Sequence, residues 1–188
     1  MTPLDRDILD FWFGPKPHSS RPEWFRKDPA FDATIRARFG DAIEAALSGA
    51  LSGPGDDARS ALAHVVLLDQ FTRNAFRDTP RAFAGDGKAL ATAVAVVDAG
   101  LDRTLDHIER SFLYLPFEHS EDPVIQERSI ALFTRLSEDS GDAALLEWAQ
   151  KHATIVRRFG RYPHRNAILG RPSTPEEIAF LGEPGSRF

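Results

Sequence analysis

DARSALAHVVLLDQFTRNAFR, residues 57–77, is the most apolar long stretch in the first half of the chain. Two stripes run along it at helical spacing. Val65, Leu68 and Phe71 carry one, extended by Ala61 and Ala75. Leu62, Val66 and Phe76 carry the other, and Asp69 and Arg73 interrupt it. A helix apolar on two sides is covered on both, so 57–77 is expected at the centre of a helical body. Asp69 and Arg73 stand four residues apart with the acid first, the favourable direction for a helical ion pair. Gln70, Asn74 and Arg77 add a polar edge. Inside a buried helix such groups need partners from other segments.

Helical signals continue on either side. Thr2-Pro3-Leu4-Asp5 starts a helix that carries Ile8, Leu9, Trp12 and Phe13 and ends at Gly14. Residues 14–22 form a loop, and Trp24 with Phe25 an apolar plug. Asp28-Pro29 opens a second helix with Phe31, Ile35, Phe39, Ala42 and Ala46 on one stripe, and 48–57 is a flexible connection. Asp86 is expected to cap a helix running to about Asp98. Asp102 or Thr104 starts the next, with Ile108, Phe112 and Leu115 inward and Pro116 as its stop. Ser120 caps a helix that ends near Gly141. Asp142 begins the last long one, with Trp148, His152, Ile155 and Phe159 on one stripe and Gly160 at its end. Thr174-Pro175-Glu176-Glu177 is a capping box for a short closing helix, ended by Gly182, and 183–188 reads as a tail. No segment alternates as a strand does, and no internal repeat is evident. The expected architecture is a single all-α domain over 1–188, with seven or eight helices in antiparallel hairpins.

The chain has 188 residues, 42% hydrophobic and 27% charged, which fits one soluble domain with a substantial core. It has no cysteine, which excludes disulfides, thiolate metal sites and a cysteine nucleophile, and fits a cytoplasmic location. The first turn is charged and lacks a basic n-region, so no signal peptide is expected, and no apolar run approaches the ~18 residues that span a bilayer. The formal charge of −5 argues against a nucleic-acid partner. The six histidines show no H-E-x-x-H or similar helical pair, so neither a metal nor a cofactor is expected. Phosphate loops and nucleophile elbows are absent too.

Charge is nonetheless unevenly distributed. Residues 152–171 hold five arginines, two histidines and no acid, so the remainder of the chain sums to about −10. Three separated stretches therefore form a candidate site. The first is 69–77 with Asp69, Arg73, Asn74 and Arg77. The second is 118–121 with Glu118, His119 and Glu121. The third is His152 with Arg161, His164, Arg165 and Asn166. Guanidinium pairs carboxylate or phosphate through two-point contacts, so Arg73, Arg161 and Arg165 are candidates to hold an anion. His119 or His164 would exchange a proton, with Glu118 or Glu121 setting its charge state.

Five segments carry a resemblance. LLDQFTRNAFR (67–77), FLYLPFEHSED (112–122) with Gln126, HATIVRRFGRYPHRNAILGRPSTPEE (152–177), ILDFWFG (8–14) and the WF-x-KD-xx-FD pattern (24–32) resemble the bacterial family of unknown function 924. The resemblance implies a tetratricopeptide-like right-handed superhelix. It brings no established activity. Three readings follow: a pocket for a small anionic molecule, with or without acid–base catalysis; a helical scaffold for a peptide or protein partner; or a closed charge network that only fixes helix packing.

Overall fold

The computed structural model describes residues 1–51, 53 and 57–186. Among them are eight helices, joined by loops and short 3-10 turns, and no strand. Helix α1 spans Pro3–Phe13 and α2 spans Pro29–Ser48. Helix α3 runs over 58–75, α4 over Asp86–Asp98 and α5 over His107–His119. Helix α6 spans Pro123–Ser140, α7 Ala143–Phe159 and α8 Pro175–Leu181. No helix among the described residues is long and apolar enough to cross a membrane.

The caps explain most of these boundaries. Thr2 with Asp5, and Thr174 with Glu177, form capping boxes; Asp28, Asp57 and Asp142 accept from the first-turn amides. Gly49, Gly141 and Gly160 end α2, α6 and α7 in the left-handed conformation that an L side chain adopts only at a cost. Short links return α5 onto α6 and α6 onto α7, so these three stand as consecutive antiparallel neighbours.

Helix α3 is the central rod. Leu62, Val65, Leu67 and Phe71 are fully buried, and it meets α1, α2, α4 and α5. Trp12, Phe13, Phe39 and Phe112 close the aromatic core around it. A second, smaller cluster of Ile155, Val156 and Tyr162, flanked by Phe159 and Phe180, sits under α8. Ser186 is buried with its Oγ donating to Leu181 O at 3.3 Å, so the segment after α8 folds back as far as it is described; 187–188, like 52 and 54–56 of the 48–57 connection, lie outside the described residues.

Four details depart from the sequence expectation. First, α3 is not uniformly α: Val66–Phe71 is a π-helical segment. One turn of wider spacing leaves no trace in a periodicity read over the whole element. Second, Pro116 does not stop α5, which continues to His119. Proline removes a single backbone bond there, while Phe117 and Glu118 beyond it are buried on the helical face. Third, three caps move. The cap position of α4 is Gly85, with Asp86 its first residue; that of α5 is Asp106, in a capping box with Glu109; that of α6 is Asp122, the residue before Pro123. Fourth, Trp148 is half-exposed beneath the Lys151 ammonium, and does not share the inward stripe of His152.

Gly85 lies against the π segment. A Cβ there would fall 2.1 Å from Leu68 O and 2.9 Å from Leu68 C, both backbone atoms that cannot swing aside. Gly85→Ala is therefore expected to destabilise the fold by at least about 2 kcal/mol in urea denaturation. A midpoint equal to wild type would show that the two backbones are not in contact.

Candidate functional site

Two carboxylate–histidine pairs form the centre of the site. Asp69 projects from the π segment of α3 and is fully buried. Its Oδ1 lies 2.7 Å from His119 Nδ1 and 3.0 Å from Arg73 Nη1, and its Oδ2 accepts from Gln70 Nε2 at 2.6 Å. Burial alone would raise the pKa of Asp69. Arg73 and His119 outweigh it and hold the carboxyl well below the usual carboxylate range. An ionised Asp69 needs a donor at Nδ1 of His119, which leaves Nε2 as the lone-pair nitrogen. Burial, then the Arg73 charge, pushes His119 down to about 4, so its ring is neutral near pH 7. A neutral imidazole oriented through Nδ1 by a buried carboxylate presents a lone pair at Nε2, and becomes a useful base once a nearby negative charge raises its pKa.

The second pair is Glu118 and His152. The continuation of α5 past Pro116 turns Glu118 inward, where it is buried with Oε2 2.9 Å from His152 Nδ1. The same nitrogen lies 2.9 Å from Trp148 O, one turn back on α7. The His119 and His152 rings are 6.3 Å apart and nearly edge-on, and Tyr162 sits 5.8 Å from His152 and 5.6 Å from His164. Burial, then the Arg165 charge, brings His164 down to about 3. The Tyr162 hydroxyl donates to Glu118 O and accepts from Gln126 Nε2 at 2.9 Å, and burial pushes its pKa up.

Arginines border this cluster. Arg73 grips Asp86 in a two-point contact of 2.9 and 3.1 Å. Arg165 reaches the same Asp86 Oδ2 from 3.3 Å. Its guanidinium lies over the Phe83 and Tyr162 rings, 4.7 and 4.8 Å from their centroids. Arg165 is 7% exposed, and its Nε, shut off from solvent, meets no acceptor among the described residues. Burial and the nearby Arg73 charge lower its pKa.

Asp69, Arg73, Glu118, His119, His152, His164 and Arg165 thus come together from all three stretches. The remaining candidates pair elsewhere. Arg77 chelates Asp32 of α2 at 2.9 and 3.0 Å, and Asn74 donates to the same carboxylate at 2.7 Å, tying α2 to α3. Arg161 chelates Glu177 at 2.6 and 2.8 Å, joined by Asn166 at 3.2 Å, which anchors α8. Glu121 is chelated by Arg171 at 2.6 and 2.9 Å and accepts from Tyr162 N at 2.7 Å. The expected surplus of guanidinium is absent: each of these arginines meets a carboxylate, and the central cluster holds Asp69, Asp86 and Glu118 against Arg73 and Arg165.

Sequence reasoning missed Asp86, Phe83 and Tyr162. Asp86 looked like a helix cap, and a cap position explains an aspartate fully, so nothing in the sequence marked it further. Phe83 and Tyr162 are aromatic residues in turns, indistinguishable by pattern from core plugs. Asp32 and Glu177 were hidden the same way, in the first turns of α2 and α8 where acids are common.

The chain belongs to a bacterial family. The model of that family, described as bacterial protein of unknown function (DUF924), matches residues 8–185. A solved structure of a protein of unknown function from Agrobacterium tumefaciens is 42% identical over 95% of this chain and 97% of that one, with a TM-score of 0.85. Among curated proteins none matches.

The buried histidines set the acid limb of stability. His119 and His164 bind protons only near pH 4 and 3 in the folded chain, but near 6.5 when unfolded. Below pH 6.5 the unfolded chain therefore takes up protons that the folded one excludes, and stability falls with pH down to about 4. Each histidine is expected to contribute a loss of about 2–3 kcal/mol across that window. Asp69 and Glu177, held low, lose their contributions only below about pH 4. Melting curves from pH 7 to 4.5 should show wild type falling more steeply than His164→Asn; identical slopes would contradict a buried, neutral His164.

Proposed function

We propose that the protein binds a small anionic molecule, a phosphate or carboxylate, beside Arg165, and that His119 exchanges a proton with it through Nε2. One observation carries the reading. Arg165 is a buried guanidinium whose nearest carboxylate is already held in two-point contact by Arg73. A single 3.3 Å contact leaves most of its donors uncommitted, and its Nε has no acceptor among the described residues. A buried cation in that state is stabilised by an incoming oxyanion. The neighbouring His119 suits such a ligand: it is neutral near pH 7, so its Nε2 presents a lone pair without adding charge. Arg73 and Asp69 orient His119, and Glu118 orients His152.

A thermal-shift series with inorganic phosphate, nucleotides and dicarboxylates tests this. At a hundredfold excess over Kd, binding adds about 2.7 kcal/mol, a rise on the order of 5–10 °C for a chain of this size. At least one anion class should give that rise for wild type, with Arg165→Met giving none and His119→Asn retaining it. If no anion stabilises wild type, or if Arg165→Met responds equally, the reading fails.

A further inference from the structure

A second constellation lies apart from the arginine–histidine cluster, where the loop after α1 meets the start of α5. His18, Asp106 and Glu109 place one ligand atom each within 4.8 Å of the others. His18 is 3% exposed at its side chain and Glu109 1%, while Asp106 opens to solvent at 38%. Two of the separations have a particular length. His18 Nε2 stands 3.4 Å from Glu109 Oε1 and 3.7 Å from Asp106 Oδ2. Both are long for a charge-assisted hydrogen bond. They approach the spacing of about 3.3–3.5 Å that two ligands adopt around one tetrahedral Zn²⁺ with bonds of about 2.0–2.2 Å.

The carboxylates are preset for this. Asp106 and Glu109 close the capping box of α5. Asp106 Oδ1 accepts from Glu109 N at 2.9 Å, and Glu109 Oε2 accepts from Asp106 N at 3.3 Å. Each carboxylate uses one oxygen for the helix end and turns the other toward His18. That second pair of oxygens already surrounds a cation. Lys16 Nζ lies 3.0 Å from Asp106 Oδ2 and 3.3 Å from Glu109 Oε1, on a side chain that is 50% exposed and free to withdraw. Arg59 Nη2 also approaches Glu109 Oε1, at 3.3 Å.

We infer that His18, Asp106 and Glu109 form a site for a divalent transition-metal ion, Zn²⁺ by donor type, which takes the position held here by the Lys16 ammonium. One nitrogen and two carboxylate oxygens are hard-to-borderline donors that suit Zn²⁺. The ion would tie the loop after α1 to the first turn of α5, with its fourth position toward solvent. The ligands stand up to 91 residues apart in the chain, so no local motif announces them.

Calorimetric titration of the full chain with ZnCl2, in a non-chelating buffer at pH 7.5, tests the site with three proteins. Wild type should bind one Zn²⁺ per chain. Lys16→Met, which removes the competing ammonium, should bind about tenfold tighter, and His18→Gln at least tenfold weaker with an unchanged circular dichroism spectrum. Comparison with His18→Gln separates this site from the five other histidines. If His18→Gln does not fold, Co²⁺ added to wild type decides instead: selective broadening of the His18 ring protons supports the site, and their persistence at saturation overturns it. The inference is also overturned if neither wild type nor Lys16→Met binds a stoichiometric ion, if Lys16→Met binds no tighter, or if His18→Gln binds as wild type does.

Discussion

A single fully buried carboxylate, that of Asp69, imposes the arrangement of the polar interior. An ion of this kind is tolerated only when several donors converge on it, since its hydration is lost entirely. Arg73 supplies one from the next turn of α3, Gln70 another, and His119 a third from the end of α5. The demand propagates outward. Arg73 is itself mostly withdrawn from solvent, so it recruits Asp86 at the start of α4, and Asp86 in turn receives Arg165 from the turn after α7. One buried charge at the centre, and the partners it demands, thus align four elements distant in sequence.

The same logic repeats at the edges of the molecule with different partners. Asp32 with Arg77 and Asn74 locks α2 against α3. Glu121 with Arg171 locks the final third against the junction of α5 and α6, and Glu177 with Arg161 and Asn166 locks α8 against the turn after α7. These are paired contacts in which neither carboxylate nor guanidinium has much capacity left, and they read as clamps. Arg165 differs because its carboxylate is shared and its guanidinium lies over two aromatic rings, Phe83 and Tyr162. That difference, and not a surplus of positive charge, separates the candidate ligand site from the structural pairs around it.

The backbone is adapted to bring these groups into reach. The π segment Val66–Phe71 carries Asp69 at a place where Gly85 allows the start of α4 to touch the Leu68 carbonyl. The last turn of α5, retained beyond Pro116, holds Glu118 and His119 on a helix, where side chains have fixed directions. Both features are local irregularities, and both sit directly at the cluster. Irregular helical turns concentrate at functional positions because they aim side chains in ways regular spacing does not.

Hydrophobic periodicity and caps determined the all-α class, the number of helices and most of their ends, because these are local properties: an amphipathic stripe, a Thr or Asp before Pro, a Gly after the last turn. They also singled out 69–77, 118–121 and 152–166 as polar stretches with too many charges for their surroundings, and seven of those residues do converge. Tertiary structure alone decided which acid meets which arginine. Asp86, Asp32, Glu177 and Glu109 each have a sufficient local explanation at a helix start, so their long-range partners leave no mark on the sequence. Pairing depends on distances between elements, and those are set by how side chains of α1 to α7 pack around α3, information that no window of consecutive residues contains.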